Sequence, residues 1–161
     1  METHSNHSQN EPTRRIGYAV GAFDLFHIGH LNLIKQAKSQ CNELIVGVVG
    51  DDLLEQRKGR RPAIPENERL EIVRNLVPVD HAVLEITEDR LETWEQLQYN
   101  VFFKGDDWKG TPKGHALEEQ FAKVGVQVHY FPYTIHTSST ILRQALKALG
   151  ETTEAVGAQK I

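Results

Sequence analysis

The stretch at residues 16–40 constrains the fold of this chain more than any other. Residues 16–20 form an apolar run typical of a buried β-strand, and residues 31–40 carry apolar side chains at helical spacing. Between them lies Gly-Ala-Phe-Asp-Leu-Phe-His-Ile-Gly-His, residues 21–30. Because a helix N-terminus has free N–H groups and partial positive charge, a strand, a tight loop and a helix start together favour phosphate binding. The stretch therefore predicts an α/β protein that binds an anion at this turn.

Two histidines in this turn are the first candidate catalytic residues. His27 and His30 are three residues apart, so their side chains share one face of a helical first turn. Gly29 lies between them and leaves room for a ligand close to the backbone. Ring N–H groups can donate to phosphate oxygens that gain charge during attack on phosphorus. A His-x-x-His pair alone is more typical of one packed and one exposed histidine, but the flanking strand and helix favour the catalytic interpretation.

The remaining sequence alternates predicted strands and helices. Further strands are predicted at residues 44–49, 81–86, 101–103 and 126–131. One helix is predicted to follow Gly50 and to be capped by an aspartate, and another is predicted to begin with Pro65 as its first residue. Further helices are predicted at residues 91–99, 114–124 and 141–149. This alternation predicts one domain, at residues 15–150, with a doubly wound sheet of five parallel strands. The first strand is expected to be central, with a ligand crevice beside it.

Composition excludes several classes of protein. The 161 residues are 39% apolar and 25% charged, which suits one domain with a sizeable core. The net charge of −4 gives no basic field for nucleic acid, and no apolar run is long enough for a membrane span. A single cysteine excludes an internal disulfide and favours the cytoplasm. Residues 1–14 are polar without a signal-peptide core, so a disordered arm is expected there, and a flexible tail at residues 151–161.

Basic residues after the second predicted strand are candidate phosphate ligands. Residues 57–61, Arg-Lys-Gly-Arg-Arg, are predicted to lie in a loop. They form either a solvated charge run or a flap that closes on phosphate, which the arginine fork binds through two parallel hydrogen bonds. Arg69 near a helix start opposes the helix dipole. That misfit indicates a ligand or an acidic partner, or a surface ion pair with Glu66 or Glu71.

Two further loops carry polar groups suited to a nucleotide. Residues 106–108, Asp-Asp-Trp, offer carboxylates that accept from an exocyclic amine and an indole that packs on a base. The two aspartates can alternatively hold Mg²⁺, or the segment can be a turn whose tryptophan covers the core. Residues 138–140, Ser-Ser-Thr, begin the last predicted helix and form either a second phosphate cradle or a plain N-cap.

The motif at residues 21–30 resembles the signature of the HxGH nucleotidyltransferase superfamily, most closely its cytidylyltransferases. "KGDDW" at residues 104–108 is similar to the corresponding loop of the glycerol-3-phosphate cytidylyltransferase group. The resemblance covers about residues 16–146. It implies a Rossmann-like fold and transfer of CMP from CTP to a small phosphate monoester, with release of pyrophosphate. The resemblance further implies that glycerol 3-phosphate is the preferred acceptor, that Mg²⁺ accompanies the triphosphate and that the protein forms a homodimer.

The resemblance also implies roles for particular residues. His27 and His30 stabilise charge on the reacting phosphates, while Lys58 and Arg60 clamp phosphate groups. Asp24 is the nearest candidate to orient either Mg²⁺ or the turn; metal ligands are otherwise unassigned. The residues expected at the nucleotide are Gly21, Ala22, Phe23, Asp24, Gly29, Arg69, Asp106, Asp107, Trp108, Thr134, Ser138, Ser139 and Thr140.

This sequence departs from the family pattern at three positions. Tyr133 and Val77 occupy positions where the family has arginine, and Ala22 replaces a frequent threonine. Loss of two cations weakens the expected binding of a doubly charged monoester, unless His136, Arg57 or Arg61 compensates. Two alternatives therefore stay open: an ATP-using member of the superfamily of the FMN or pantetheine-phosphate type, and a non-catalytic nucleotide sensor.

Overall fold

A five-stranded parallel sheet forms the centre of the computed structural model, which describes residues 14–132 and 137–157. The strand order is β3-β2-β1-β4-β5, and every neighbouring pair is parallel. The strands are β1 Ile16–Gly21, β2 Glu43–Val49, β3 His81–Glu85, β4 Val101–Gly105 and β5 Gln127–Phe131. The central position of β1 and the Rossmann-like, doubly wound fold in one domain are confirmed.

Six α-helices connect or follow the strands in the described residues. They are α1 Ile28–Ser39, α2 Asp51–Lys58, α3 Glu66–Arg74, α4 Arg90–Leu97, α5 Pro112–Ala122 and α6 Ser139–Gly157. A short 3₁₀ turn, Asp106–Trp108, follows β4. The chain leaves β1 toward β2 and returns to the other side of β1 with β4, so the strand order reverses between β1 and β4. Ligand crevices form at such a point, at the carboxyl ends of the strands.

Alternating side chains on the strands cover both faces of the sheet. Tyr18 and Phe102 belong to one apolar cluster, while their neighbours Ala19 and Phe103 belong to another. Successive residues of a strand point to opposite faces, so each strand contributes to both clusters. The continuous apolar run of β2 follows from this double coverage, because six of its seven residues are buried.

Several predicted boundaries are wrong in an informative way. Gly50 precedes α2 as its N-cap and has no side chain, so no aspartate caps that helix. Arg57 and Lys58 are the last residues of α2 rather than part of a loop, and cations there complement the helix dipole. Pro65 is the N-cap residue of α3 rather than its first helical residue. The segment at residues 57–61, which was predicted to form a flap, therefore begins within helix α2.

The last helix differs most from its prediction. It begins at Ser139 and continues through Gly150 to Gly157, into the segment predicted to be a flexible tail. A glycine ends a helix when it adopts a left-handed conformation, and Gly150 does not, unlike Gly59 after α2. Within a helix, glycine costs only about 1 kcal/mol relative to alanine. Gly150 therefore weakens the helix without ending it; the domain limits stay a prediction.

Candidate active site

The turn between β1 and α1 is held in a strained conformation by Asp24. Phe23 and Leu25 both have positive φ, 52° and 50°, which non-glycine residues rarely adopt. The buried Asp24 carboxylate between them accepts hydrogen bonds from the backbone N–H groups of residues 63–64, each at 3.0 Å. Arg143 of α6 donates to the same carboxylate at 2.6 Å. Asp24 therefore orients the turn, and its acceptor oxygens are engaged by protein donors rather than open to Mg²⁺.

The two histidines at the start of α1 are fixed in one tautomer by backbone donors. Nδ1 of His27 accepts from the N–H of Gly29 at 3.0 Å. Nδ1 of His30 accepts from the N–H of His27 at 3.3 Å, and the two rings stack with centroids 3.9 Å apart. A ring nitrogen that accepts carries no proton, so each neutral imidazole has its proton on Nε2. Both rings consequently present Nε2–H as a donor.

Burial keeps these imidazoles uncharged at neutral pH. It lowers the pKa of His27, and it lowers the pKa of His30 to about 4, with the neighbouring His27 adding to the shift. A neutral imidazole is a hydrogen-bond donor and not a resident cation. Such a donor stabilises charge that develops during a reaction without already being paired with a protein carboxylate.

A cavity of about 320 Å³ lies in front of the histidines at the carboxyl edge of the sheet. The β1–α1 turn contributes Gly21, Ala22, Phe23, Gly29 and both histidines. The start of α6 contributes Ser138, Ser139 and Thr140, and the loop after β4 contributes Asp107. These three segments therefore meet at one edge of the sheet, beside the central strand where a ligand crevice was expected.

The serines at the start of α6 have separate tasks. Ser138 Oγ accepts from the N–H of Ile141 at 3.2 Å and caps the helix. Ser139 Oγ donates to the backbone carbonyl of Asp24 at 2.6 Å, which ties α6 to the histidine turn. Thr140 borders the cavity and is exposed. The N-cap predicted as one alternative is therefore present at Ser138, whereas the phosphate cradle stays a prediction.

A second, larger cavity of about 760 Å³ adjoins the first. Lys58, Lys104 and Asp107 border both cavities, whereas Trp108 borders only the larger one. Arg57 and Arg90 also border the larger cavity. Cations therefore outnumber carboxylates around its opening, although the whole chain has a net charge of −4. Asp107 and Trp108, the pair predicted to bind one base, both border the larger cavity, whereas Asp106 borders neither cavity among the described residues.

Arg69 differs from its predicted role as a nucleotide ligand. Its side chain has 0% exposure and donates to the carbonyls of Ala22, Val49 and Ile64 at 2.5, 2.8 and 2.8 Å. Its remaining terminal nitrogen pairs with Asp51 at 2.6 Å. The acidic partner that the sequence indicated thus exists, but it is neither Glu66 nor Glu71. Arg69 joins the ends of β1 and β2 to α2, and among the described residues it lines neither the cavity at the histidines nor the larger cavity beside it.

The other basic residues after α2 also have distinct environments. Arg61 pairs with Asp52 at 2.5 Å and with Glu55 at 2.9 Å, so its guanidinium is already engaged. Arg60 is exposed and borders a small cavity of about 30 Å³, together with Lys58 and Arg143. Lys58 borders all three cavities, and burial lowers its pKa, with nearby cations adding to the shift. Of the predicted phosphate ligands, Lys58 has the placement that this role requires.

The structure also places two residues at the cavities that were not predicted from the sequence, Lys104 and Arg143. Arg143 follows Ser139 by four residues, so helical spacing puts both on one face, and that signal was available. Lys104 is the first residue of the segment "KGDDW", and the function of that segment was interpreted from its aspartates and tryptophan alone. Thr134, Tyr133 and His136 lie outside the described residues.

Within residues 14–132 and 137–157, no group of three His, Cys, Asp or Glu side chains is arranged to hold a metal ion. In the same part of the chain, none of the helices combines the length and apolar character needed to cross a bilayer.

Fold and site together define an α/β protein with a crevice at the switch point and a pair of donor imidazoles at a helix start. The chain belongs to the cytidylyltransferase-like family, whose sequence model matches residues 18–145. This family is part of the nucleotidyltransferase superfamily, so the superfamily indicated by the motif at residues 21–30 is confirmed.

Comparison with known proteins gives three further findings. The FAD synthase of Thermoplasma acidophilum is 28% identical over 138 residues, which are 83% of this chain and 95% of that protein. The structure of a lipopolysaccharide core biosynthesis protein from Thermoplasma volcanium is similar with a TM-score of 0.65 and 27% identity, covering 77% of this chain and 99% of that one. Pantoate-beta-alanine ligase from Francisella tularensis shares the fold, with a TM-score of 0.55, 15% identity and coverage of 84% and 70%.

Proposed function

We propose that the protein is an adenylyltransferase that moves AMP from ATP to a phosphate monoester and releases pyrophosphate. One observation carries the proposal: two neutral imidazoles, both with Nε2–H as the donor, face a cavity that the start of α6 also borders. The triphosphate is assigned to this cavity of about 320 Å³, and the acceptor to the larger one. Because Lys58 borders both, the two substrates would meet beside it.

The proposed reaction is one in-line displacement at the α-phosphorus. An oxygen of the acceptor phosphate forms a bond to that phosphorus, and the bond to the oxygen bridging the α- and β-phosphates breaks. Pyrophosphate leaves with the electron pair, so no side chain has to remove a proton. Catalysis then depends on positioning and on charge stabilisation, which is general for phosphoryl chemistry. His27 and His30 donate to the phosphate oxygens that gain charge, and Lys58 supplies a cation.

The choice of ATP is supported by the similarity to an FAD synthase over most of both chains. The aspartates after β4 do not discriminate, because adenine and cytosine both carry an exocyclic amine that a carboxylate can accept from. CTP is the second candidate, favoured by the likeness of residues 104–108 to the glycerol-3-phosphate cytidylyltransferase loop. Both candidates keep the same chemistry at phosphorus.

A large acceptor of the FMN type is favoured over glycerol 3-phosphate. The acceptor cavity, at about 760 Å³, falls within the range of sites that bury drug-sized ligands, and a small polyol would occupy little of it. Its lining combines Trp108 and Phe102 with several cations. Aromatic walls and positive charge suit an acceptor that has a planar ring system at one end and a phosphate at the other.

Mg²⁺ is proposed to enter with the triphosphate. Magnesium in such sites is commonly held by phosphate oxygens and one or two carboxylates rather than by a cage of protein ligands. Asp24 is engaged elsewhere, so Asp107 is the carboxylate placed to assist, since it borders both cavities. The homodimer implied by the resemblance stays a prediction.

Pyrophosphate release with purified protein tests the proposal. ATP and CTP are each combined with FMN, glycerol 3-phosphate and 4′-phosphopantetheine in the presence of Mg²⁺. Turnover is expected with ATP and FMN, and it is expected to be lost in His27→Ala but kept in His115→Ala, which alters an exposed histidine of α5. Turnover with CTP alone would replace the first candidate by the second. Binding of either triphosphate without turnover across the panel would indicate a nucleotide sensor.

A further inference from the structure

Lys104 lies half-buried at the junction of the two cavities, and its ammonium has no carboxylate partner among the described residues. It lies near the end of β4, and its Nζ is 4.4 Å from the centre of the Trp108 ring. Within the described part of the chain, no carboxylate pairs with it, and Asp107 is the acidic group that attracts it from a greater distance. A half-buried charge is costly unless something compensates it, and a cation–π contact does so only partly.

The charges around Lys104 indicate an anionic ligand. Arg57 pairs with Glu88 at 2.5 Å, and Arg90 lies 3.0 Å from Glu85, so protein carboxylates neutralise both guanidinium groups. Lys58 and Lys104 have no such pairs among the described residues. Burial lowers the pKa of Lys104, and Arg90, Arg57 and Lys58 add to the shift. Lys58 and Lys104 thus face the same space, where a bound anion would compensate the charge of both.

The position of Lys104 fits the point where two phosphates must meet. Lys104 borders both cavities, as do Lys58 and Asp107. Lys58 approaches from the end of α2, whereas Lys104 approaches from the sheet itself. Both lysines therefore lie on regular secondary structure, which positions a site more precisely than a loop does. Lys104 adds to Lys58 a cation that comes from the central sheet.

We propose that Lys104 is a catalytic residue that contacts the acceptor phosphate and the α-phosphate of the triphosphate at the same time. This inference rests on the proposed nucleotidyl transfer. Both reacting groups are anions, so their approach is repulsive until a cation lies between them. Lys104 supplies that cation from the sheet. His27 and His30 act from α1, where they donate to the phosphate oxygens, so the reacting groups are held from two directions.

The activity test uses two replacements and a matched control. Lys104→Met removes the charge and keeps the side-chain length, Lys104→Arg keeps the charge, and Lys109→Met removes an exposed lysine from the same loop. With the nucleotide and acceptor that give turnover in the wild type, Lys104→Met is expected to lower kcat by about 10²–10³, the usual effect of losing one charge-stabilising group. Lys104→Arg is expected to recover most of that loss, and Lys109→Met to stay within about twofold.

A binding test separates this role from the proposed reaction. Titration calorimetry measures the Kd of FMN with and without a non-reactive ATP analogue in which a methylene group bridges the α- and β-phosphates. In Lys104→Met, the analogue is expected to weaken FMN binding about tenfold more than in the wild type and in Lys104→Arg, because the two anions then repel without a cation between them.

The outcomes distinguish the two proposals. Absence of turnover in the wild type with every substrate pair would overturn the proposed function and with it the catalytic role of Lys104, and the calorimetric comparison would still decide whether Lys104 lies between the two anions. A kcat in Lys104→Met within about threefold of wild type, or the same effect of the analogue on FMN binding in all variants, would overturn the assignment of Lys104. Thermal unfolding of each variant confirms that the compared proteins are folded.

Discussion

Replacement of Arg69 by leucine is expected to destabilise the protein strongly while affecting nucleotide binding only through folding. The guanidinium has 0% side-chain exposure and four internal acceptors: the carbonyls of Ala22, Val49 and Ile64 and the carboxylate of Asp51. Leucine satisfies none of these acceptors. The carbonyls would lose a charged donor, and Asp51 would lose its ion-pair partner.

The magnitude follows from the arrangement of these contacts. Breaking a buried ion pair by removing one partner typically costs about 3–5 kcal/mol, because the other charge stays buried and unpaired. Asp51 is only 17% exposed, so water compensates it incompletely. For a chain of this size, about 3–5 kcal/mol corresponds to a decrease in Tm of about 6–20 °C. Lysine at this position retains the charge but not the fork of donors, so Arg69→Lys is expected to fall between leucine and wild type.

Urea unfolding followed by circular dichroism measures this change directly. Arg74→Leu is the matched control, since Arg74 lies on the same helix and forms an exposed pair with Glu71 at 3.4 Å. Such surface pairs contribute little, so a change within about 0.5 kcal/mol is expected for the control. A loss below about 1 kcal/mol in Arg69→Leu would refute the reasoning. So would a folded Arg69→Lys protein that binds ATP tenfold more weakly without loss of stability.

Three further predictions concern the histidine turn. His27→Ala is expected to lower kcat by about 10²–10⁴ with little change in KM, measured by steady-state pyrophosphate release; near-wild-type turnover would remove its assigned role. Asp24→Asn is expected to lower the free energy of unfolding by about 2–4 kcal/mol, because the amide accepts poorly from three donors; unchanged stability by urea titration would contradict this. The pKa of His30 is about 6.5 in the unfolded chain and about 4 in the folded protein. As the pH is lowered from 6.5 to 4, the unfolded chain therefore binds a proton that the folded protein does not, and the free energy of unfolding decreases by up to about 3 kcal/mol. His30→Phe is expected to reduce that dependence in urea titrations at pH 7 and pH 5, and an unaltered slope would refute the assignment.

The parallel sheet and the central place of its first strand could be predicted because apolar runs at residues 44–49 and 101–103 are buried on both faces. Continuous apolar sequence between polar segments is the signature of such strands, and the alternation with helices then limits the topology. Helix α2 was harder to predict. The helix consists mostly of charged and polar residues and has only two buried apolar side chains, Leu53 and Leu54. Because these two are adjacent, no helical periodicity indicates how long the helix is.

The centre of the site could be predicted because it lies within one short segment. The histidines, Gly29 and Asp24 are close in sequence, so their proximity in space needed no tertiary information. Arg69 is the opposite case. Its acceptors are carbonyls at residues 22, 49 and 64 and a carboxylate at residue 51, and backbone carbonyls leave no mark in a sequence. A buried cation held by such groups cannot be distinguished from a ligand-binding one before the fold is known.

The division of the crevice into two cavities was also beyond the sequence. Asp107 and Trp108 are neighbours in the chain, and a nucleotide-binding role for both was the natural interpretation. The 3₁₀ turn after β4 directs them differently, so that only Asp107 reaches the histidine side. Short turns set side-chain directions residue by residue, and patterns of apolar residues do not encode them.

Nitrogen-detected NMR of the two active-site histidines tests the central claim most directly. Long-range ¹⁵N–¹H spectra of protein labelled in its histidines, assigned with His27→Ala and His30→Ala, report which ring nitrogen carries the proton. At pH 7 both imidazoles are expected to be neutral with the proton on Nε2, because Nδ1 of each accepts from a backbone N–H. An imidazolium at either position, or a proton on Nδ1, would contradict the account.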